Sequence, residues 1–97
     1  MTDAITIVVY FGSHPDDKDI GAETERGVFA GHPISWRRSR RTYPGMPHVR
    51  EAFFPYRYTE GSIETPVHVI AAARDEQRLR QLQRGLEHAE IGPQGKR

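Results

Sequence analysis

The sequence predicts an α+β fold, with a small, mostly antiparallel sheet of three or four strands and one C-terminal amphipathic helix packed on it. Three observations lead to this prediction. Short runs rich in β-branched and aromatic residues recur along the chain, which indicates strands. One helical pattern follows them near the end of the chain. The connections between the strands are too short for parallel crossovers, so the strands must be mostly antiparallel in a two-layer sandwich.

The first predicted strand is AITIVVYF, residues 4–11, which stops at Gly12. It carries apolar residues on both faces, which indicates an interior strand rather than an edge strand. The segment that follows, residues 12–27, is acidic and rich in turn-forming residues. We predict an exposed loop there.

In the middle of the chain, the sequence predicts shorter extended segments. Residues 27–38 hold two apolar stretches interrupted by Gly31 and Pro33. Because proline cannot donate to a β-ladder, this region is an edge strand, a bulge or a hairpin turn. Residues 39–48 are predicted to be a loop, with Pro44-Gly45 as its turn signal.

Two further strands and the helix complete the prediction. Residues 49–61 are extended, with a break or bulge at Pro55, and TPVHVIAAA is the clearest later strand. The helix begins after Asp75 as N-cap and stops at Gly92-Pro93. Its apolar stripe consists of Leu79, Leu82, Leu86 and Ala89. Residues 1–92 are therefore predicted to form a single domain, with a flexible tail over residues 93–97.

The amino-acid composition limits the size of the core and excludes several kinds of functional site. The chain has 97 residues, of which 36% are apolar, so its core must be small. The absence of cysteine excludes disulfides, thiolate zinc sites and cysteine nucleophiles. The longest apolar run, Ile7 to Phe11, is far shorter than the roughly 20 residues of a membrane span, and no signal-peptide pattern is present. The sequence predicts a soluble, cytoplasmic protein that uses no cofactor and binds no membrane.

Charge is distributed unevenly along the chain. Residues 1–25 carry six acids and one lysine, residues 26–58 carry seven arginines and one glutamate, and residues 59–97 are balanced. The net charges of −5, +6 and 0 sum to the overall +1. A basic region of this size attracts phosphates or acidic protein surfaces. The acidic and basic regions also have the complementary charges that two copies need to associate, so a homo-oligomer is an open alternative.

Arginines and aromatic residues interleave in the basic region, in the stretch SWRRSRRTYPGMPHVREAFFPYRY. Four of these arginines crowd into residues 37–41, which we call the basic segment. We predict a small non-catalytic accessory protein that docks through this region onto an anionic macromolecule, either an acidic protein or nucleic acid. Protein is favoured slightly, because the overall charge is only mildly basic. The predicted partner-binding residues are Arg37, Arg38, Arg40, Arg41, Tyr43, Arg50 and Arg57.

The stretch SHPDD after the first strand carries a second possibility. It resembles the His-Pro-Asp-Asp-Glu signature of zinc-dependent deacetylases that act on amino-sugars. That resemblance implies a metal-dependent hydrolase, with His14 and Asp17 as ligands and Asp16 as general base. Read from the residues alone, the stretch is a turn in which aspartates cap backbone amides. Lys18 follows it and would repel a divalent ion, so we predict the turn and no metal site.

The second half of the chain carries a third possibility. YPGMPHVREAFFPYRYTEG and PVHVIAAARDEQRL resemble the closing strands of RelE/ParE-type toxins. That resemblance implies an RNA-cleaving toxin in which Arg57 and Arg74 line the active face, with Tyr58 nearby. The chain contains no glycine-rich phosphate loop, and its spacing assembles no Ser-His-Asp set.

Overall fold

The computed structural model describes residues 3–10 and 20–91. These residues form five strands followed by one helix. The elements are β1 (Ala4–Val9), β2 (Ile20–Phe29), β3 (His32–Ser39), β4 (His48–Tyr56), β5 (Thr65–Ala73) and α1 (Glu76–Leu86). The strands build one antiparallel sheet in the order β1-β5-β4-β3-β2. The predicted α+β architecture is confirmed, but the sheet has five strands and not three or four. No helix of the described residues is long and apolar enough to cross a membrane.

The additional strand is β2, which lies where the sequence predicted a loop. Its residues IGAETERGVF include charges and glycines that have low β-propensity. The strand pairs along β3 with two register shifts, and the Thr24 hydroxyl donates to the Trp36 carbonyl at 3.1 Å. Because β2 is an edge strand, its charged side chains reach water. Pairing with β3, rather than local propensity, makes this segment a strand.

The hairpin between β2 and β3 matches one of the predicted alternatives. Its turn consists of Ala30 and Gly31, which have φ angles of 51° and 82°. Positive φ at both central residues gives the backbone twist that a two-residue hairpin needs. The predicted turn at Pro44-Gly45 is also present, where the Met46 N–H donates to the Tyr43 carbonyl at 3.0 Å.

The position of β1 differs from the prediction of an interior strand. Among the described residues, β1 pairs only with β5 and lies at the edge of the sheet. Ile7 and Val9 are exposed there, although both are large apolar residues. Apolar residues on both faces of a strand therefore did not indicate its place in the strand order.

The helix packs on one face of the sheet through its apolar stripe, as predicted. Asp75 is the N-cap, and its carboxylate accepts a 2.8 Å hydrogen bond from the Arg78 N–H. This backbone hydrogen bond lowers the pKa of the Asp75 carboxyl. Leu79 is buried, whereas Leu82 and Leu86 are half-buried. The helix ends at Leu86, six residues before the predicted stop, and residues 92–97, including the predicted tail, lie outside the described residues.

Alternation along the strands separates two faces. The helix-covered face takes from β5 the side chains of Val67, Val69, Ala71 and Ala73. The large aromatic residues of this core are Phe29, Trp36 and Phe54. The opposite face carries Ile70 and Ala72, which pack with Val49 and Met46.

Gly27 is required by the packing of Trp36. A Cβ atom at Gly27 would lie 2.5 Å from Nε1 and 2.8 Å from Cδ1 of the Trp36 ring, which is 1% exposed and cannot move aside. Gly27→Ala is expected to lower the free energy of unfolding by about 1–3 kcal/mol. Thermal unfolding followed by circular dichroism measures the change.

Gly85→Ala is the matched control for this substitution. A Cβ atom at Gly85 would meet nothing within 4 Å, and alanine favours a helix over glycine by about 1 kcal/mol. Gly85→Ala should therefore raise the unfolding midpoint while Gly27→Ala lowers it. Equal midpoints for Gly27→Ala and the unsubstituted protein would mean that the indole does not pack against this strand as described.

Candidate docking surface

The basic segment lies at the C-terminal end of β3 and continues into the connection to β4. Arg37 is paired with Glu51 in the β3–β4 register, and Arg38 is paired with Arg50. Successive strand residues point to opposite faces, so Arg37 lies on the opposite face of the sheet and Arg38 on the helix-covered face. Arg40 and Arg41 follow the end of the strand. The four arginines thus surround the end of β3 and do not share one face.

The four guanidinium groups differ in how they are engaged. Nη1 of Arg37 donates to the Gly21 carbonyl at 3.2 Å, which ties the side chain to β2. Arg41 forms an ion pair with Glu51, with Nε and Oε2 3.0 Å apart. Arg38 and Arg40 are exposed and make no hydrogen bond or ion pair with the described residues. Arg38 and Arg40 are therefore available to a partner without breaking an internal contact.

A buried glutamate anchors the basic segment to the sheet. Glu51 is 1% exposed, and Nε2 of His68 lies 2.6 Å from its Oε1. Its Oε2 accepts from the Ser39 hydroxyl and from Nε of Arg41. The Arg41 N–H in turn donates to the Ser39 hydroxyl oxygen at 3.0 Å. Buried charge of this kind is tolerated only when it is paired and hydrogen-bonded, and each carboxylate oxygen of Glu51 has a partner.

The contacts in this network differ from those of a serine–histidine–carboxylate triad. A serine nucleophile needs a base that takes its proton, usually an imidazole held by a carboxylate. Here the Ser39 hydroxyl bonds to the Glu51 carboxylate, and His68 bonds to the other oxygen of the same carboxylate. His68 is buried and does not reach Ser39. The network can hold the first residues of the β3–β4 connection in place.

The sequence did not single out Glu51, although it carries this network. A signal existed in the stretch VREAFF, where one glutamate lies among apolar residues of a predicted strand. A second signal was His68, which shares a face with Ile70 and Ala72. The contact between the two residues depends on the β4–β5 register, in which Glu51 pairs with Ile70 and Phe53 pairs with His68.

Two of the other predicted docking residues lie beside the basic segment, and one does not. Tyr43 is half-buried and packs on the cluster that contains Met46 and Val49. The Arg50 side chain is 16% exposed, with its Nε 3.8 Å from Oε1 of Glu25. Arg57 follows the other end of β4, about 23 Å from Arg50 along the strand. Its guanidinium contacts the Ser62 carbonyl and the Glu64 carboxylate. The structure does not bring Arg57 together with the rest.

The aromatic residues next to the basic segment are not exposed. Trp36 belongs to the core under the helix, and Tyr43 is half-buried. Tyr56 and Tyr58 pack on each other with ring centroids 4.8 Å apart, at the end of β4 that is remote from the basic segment. A platform for stacking bases needs exposed aromatic faces beside the cationic groups. Trp36 provides none, and Tyr43 offers only the part of its ring that is not packed on the sheet.

The residues implied by the toxin resemblance lie apart. Arg57 follows β4 and Arg74 follows β5, and the two antiparallel strands place them at opposite ends of the β4–β5 pair. The toxins have two long helices after their first strand. Here only ten residues separate Val9 from Ile20, where β2 begins. Arg74 is bound instead to Asp3 and Asp75.

The residues of the SHPDD stretch, His14, Asp16 and Asp17, lie outside the described residues, so the predicted turn stays a prediction. Within residues 3–10 and 20–91, no group of three or more histidine or acidic side chains is arranged to hold a metal ion. Comparison of the chain with models of protein families, with curated proteins and with solved structures finds no match. The functional argument therefore depends on the geometry and charges described above.

Proposed function

We propose that this protein is a small non-catalytic accessory protein that docks through the basic segment onto an acidic surface of a partner protein. The observation that carries the proposal is the contrast within the segment. Arg38 and Arg40 are exposed and unpaired with the described residues, whereas Arg37 and Arg41 are bound to the sheet. The bound arginines hold the backbone that presents the free ones.

This anchoring favours binding because it reduces the conformational entropy that is lost when a partner binds. A long side chain on a mobile loop loses conformational entropy when a partner orders it, and this loss subtracts from the binding energy. The Glu51 network already fixes the backbone at Ser39 and Arg41 before any partner arrives. Only the exposed side chains of Arg38 and Arg40 remain to be ordered.

An acidic protein is a better partner than nucleic acid for this surface. Beside the arginines Trp36 is buried and Tyr43 is half-buried, so this surface offers bases little aromatic area to stack on. The chain as a whole carries a net charge of only +1, which gives little long-range attraction to a polyanion. Contacts between a few arginines and carboxylates need neither feature, because arginine binds carboxylate through paired hydrogen bonds.

The double substitution Arg38→Gln/Arg40→Gln tests the proposal. It removes two charges and leaves the contacts of Arg37 and Arg41 intact, so the fold should be unaffected. Binding of a short fluorescent polyglutamate peptide at low salt, measured by anisotropy, should weaken about tenfold. Two charged contacts of about 0.7 kcal/mol each correspond to this factor.

Arg57→Gln/Arg84→Gln is the matched control, because it removes the same charge from two exposed arginines away from the basic segment. The control should bind the peptide as well as the unsubstituted protein. Light scattering on each sample establishes whether copies associate, since a homo-oligomer formed through the basic segment would mask it. Equal affinity of both double variants would remove the basic segment from the function.

Salt and an oligonucleotide distinguish the class of partner. Affinity for an acidic protein surface should fall shallowly with salt, mainly through the association rate. A nucleic-acid partner would give a steep log–log slope of about 0.9 per phosphate contact. Tighter binding of a single-stranded oligonucleotide than of polyglutamate, with such a slope, would replace the acidic protein by nucleic acid as the partner.

A further inference from the structure

Two arginines face each other across the strands next to the basic segment. Arg38 and Arg50 are direct partners in the β3–β4 register and project from the helix-covered face. Cβ atoms of direct cross-strand partners are about 4.5–5.5 Å apart, and like charges at this distance destabilise a sheet. An arrangement that is unfavourable in the unbound protein becomes favourable when an anion lies between the two groups.

Other arginines at this end of the sheet have closer acidic partners than the arginine pair has. Arg41 is matched by Glu51, and Arg74 and Arg78 both contact Asp3. Arg50 has a more distant ion-pair partner, because its Nε lies 3.8 Å from Oε1 of Glu25 and has no hydrogen-bond acceptor, although its Nη1 donates to the Val49 carbonyl at 3.1 Å. Arg38 has no ion-pair partner in the described residues. The positive charge of the arginine pair is thus only partly neutralised.

A cleft of about 290 Å³ opens beside the pair. Arg38 and Arg50 line it together with His48, which is two residues before Arg50 on β4 and shares its face. Glu76 lies on the helix side of the cleft and is engaged with Arg80 at 3.6 Å. The cleft therefore offers two guanidinium groups and an imidazole to a small ligand, and the one carboxylate at its edge, that of Glu76, is already engaged with Arg80.

We infer that this cleft binds a phosphate monoester on the partner protein, the side chain of a phosphorylated serine or threonine. A phosphate monoester carries a charge of about −1.5 to −2 and three acceptor oxygens, which suits two guanidinium groups and an imidazole. A carboxylate has one charge and two oxygens in a plane, which one arginine satisfies. The inference rests on the proposed docking function, because Arg38 belongs to both, and it names the group that this part of the surface recognises.

Three peptides test the inference by fluorescence anisotropy. They are identical glutamate-rich peptides with phosphoserine, serine or glutamate at one central position. The phosphoserine peptide should bind about tenfold more tightly than the serine peptide, as expected for one charge-assisted hydrogen-bonded contact, and more tightly than the glutamate peptide. Arg38→Gln should abolish this preference. Arg40→Gln is the matched control, which weakens all three peptides but keeps the preference, because Arg40 is outside the cleft.

Arg50→Lys is a second variant, which keeps the positive charge beside Glu25 but removes the planar guanidinium group with its paired N–H donors. It should lower the phosphoserine preference while the thermal midpoint stays near that of the unsubstituted protein. Equal binding of the phosphoserine and serine peptides would overturn the inference, and so would a preference that survives Arg38→Gln. If Arg38→Gln/Arg40→Gln still weakens polyglutamate in that case, the docking function stands without the phosphate site. If the phosphoserine preference depends on Arg38 but polyglutamate does not bind, the site stands without the proposed function.

Discussion

Replacing Leu79 with alanine is expected to lower the free energy of unfolding by about 2–5 kcal/mol. Leu79 is 2% exposed and is the buried residue of the only helix in the described residues, packed on the core that contains Trp36. Its truncation removes apolar contacts and leaves a cavity between two layers. A domain of this size has a total stability of about 5–15 kcal/mol, so the variant loses a large part of it. Urea denaturation followed by far-ultraviolet circular dichroism measures the loss.

Two substitutions on the same helix calibrate this result. Leu82→Ala should reduce stability less than Leu79→Ala, because Leu82 is half-buried. Gln77→Ala should leave the denaturation midpoint nearly unchanged, because Gln77 is exposed and alanine favours a helix. Equal midpoints for Leu79→Ala and Gln77→Ala would show that the helix does not pack on the sheet through this stripe.

Glu51→Ala is expected to lower the free energy of unfolding by about 3–5 kcal/mol, the range found when one partner of a buried charged pair is removed. The buried His68 ring loses the acceptor that lies 2.6 Å from its Nε2, and Ser39 and Arg41 lose their shared carboxylate oxygen. Hydrogen exchange of the Arg41 amide should accelerate as well, because its acceptor Ser39 is no longer held. Thermal unfolding and amide exchange measured on the same sample check both effects.

Glu64→Ala is the matched control for Glu51→Ala. Glu64 is exposed, and its carboxylate lies 3.8 Å from the exposed guanidinium of Arg57. Surface pairs of this kind contribute about 0–1 kcal/mol, so Glu64→Ala should change the midpoint little. Glu51→Gln should have an intermediate effect, because the amide oxygen still accepts hydrogen bonds but carries no charge. A loss for Glu51→Ala as small as that for Glu64→Ala would contradict the buried network.

The elements that the sequence predicted well are those whose pattern is complete within a short window. The strand β5 is mostly apolar, and α1 has both a capping residue and an apolar stripe. The strand β2 could not be found in this way, because its polar and glycine-containing segment takes its conformation from β3. Local pattern also failed to give the position of β1, because strand order depends on which distant segments pair.

The location of the candidate site could be predicted from the sequence, but the contacts of its individual residues could not. The crowding of arginines in residues 37–41 and their neighbour Arg50 could be seen in the sequence, because charge does not depend on folding. The roles within the segment could not be seen. Whether an arginine binds Glu51, faces Arg50 or stays free depends on strand alternation and on the β3–β4 register. The separation of Arg57 from the others likewise follows from the length of β4.

The pairing of β1 with β5 has a consequence for the order in which the protein can fold. The strands from β2 to β5 pair with their sequence neighbours, so each contact closes a short loop. Ala4, in contrast, pairs with Ala73, near the other end of the described chain. On the ribosome, β1 emerges before the other four strands and its partner β5 emerges after them. Closing the long loop between β1 and β5 costs more conformational entropy than closing a hairpin and is slower. The uncharged β1 segment AITIVV therefore cannot pair with its partner strand until β5 has been synthesised.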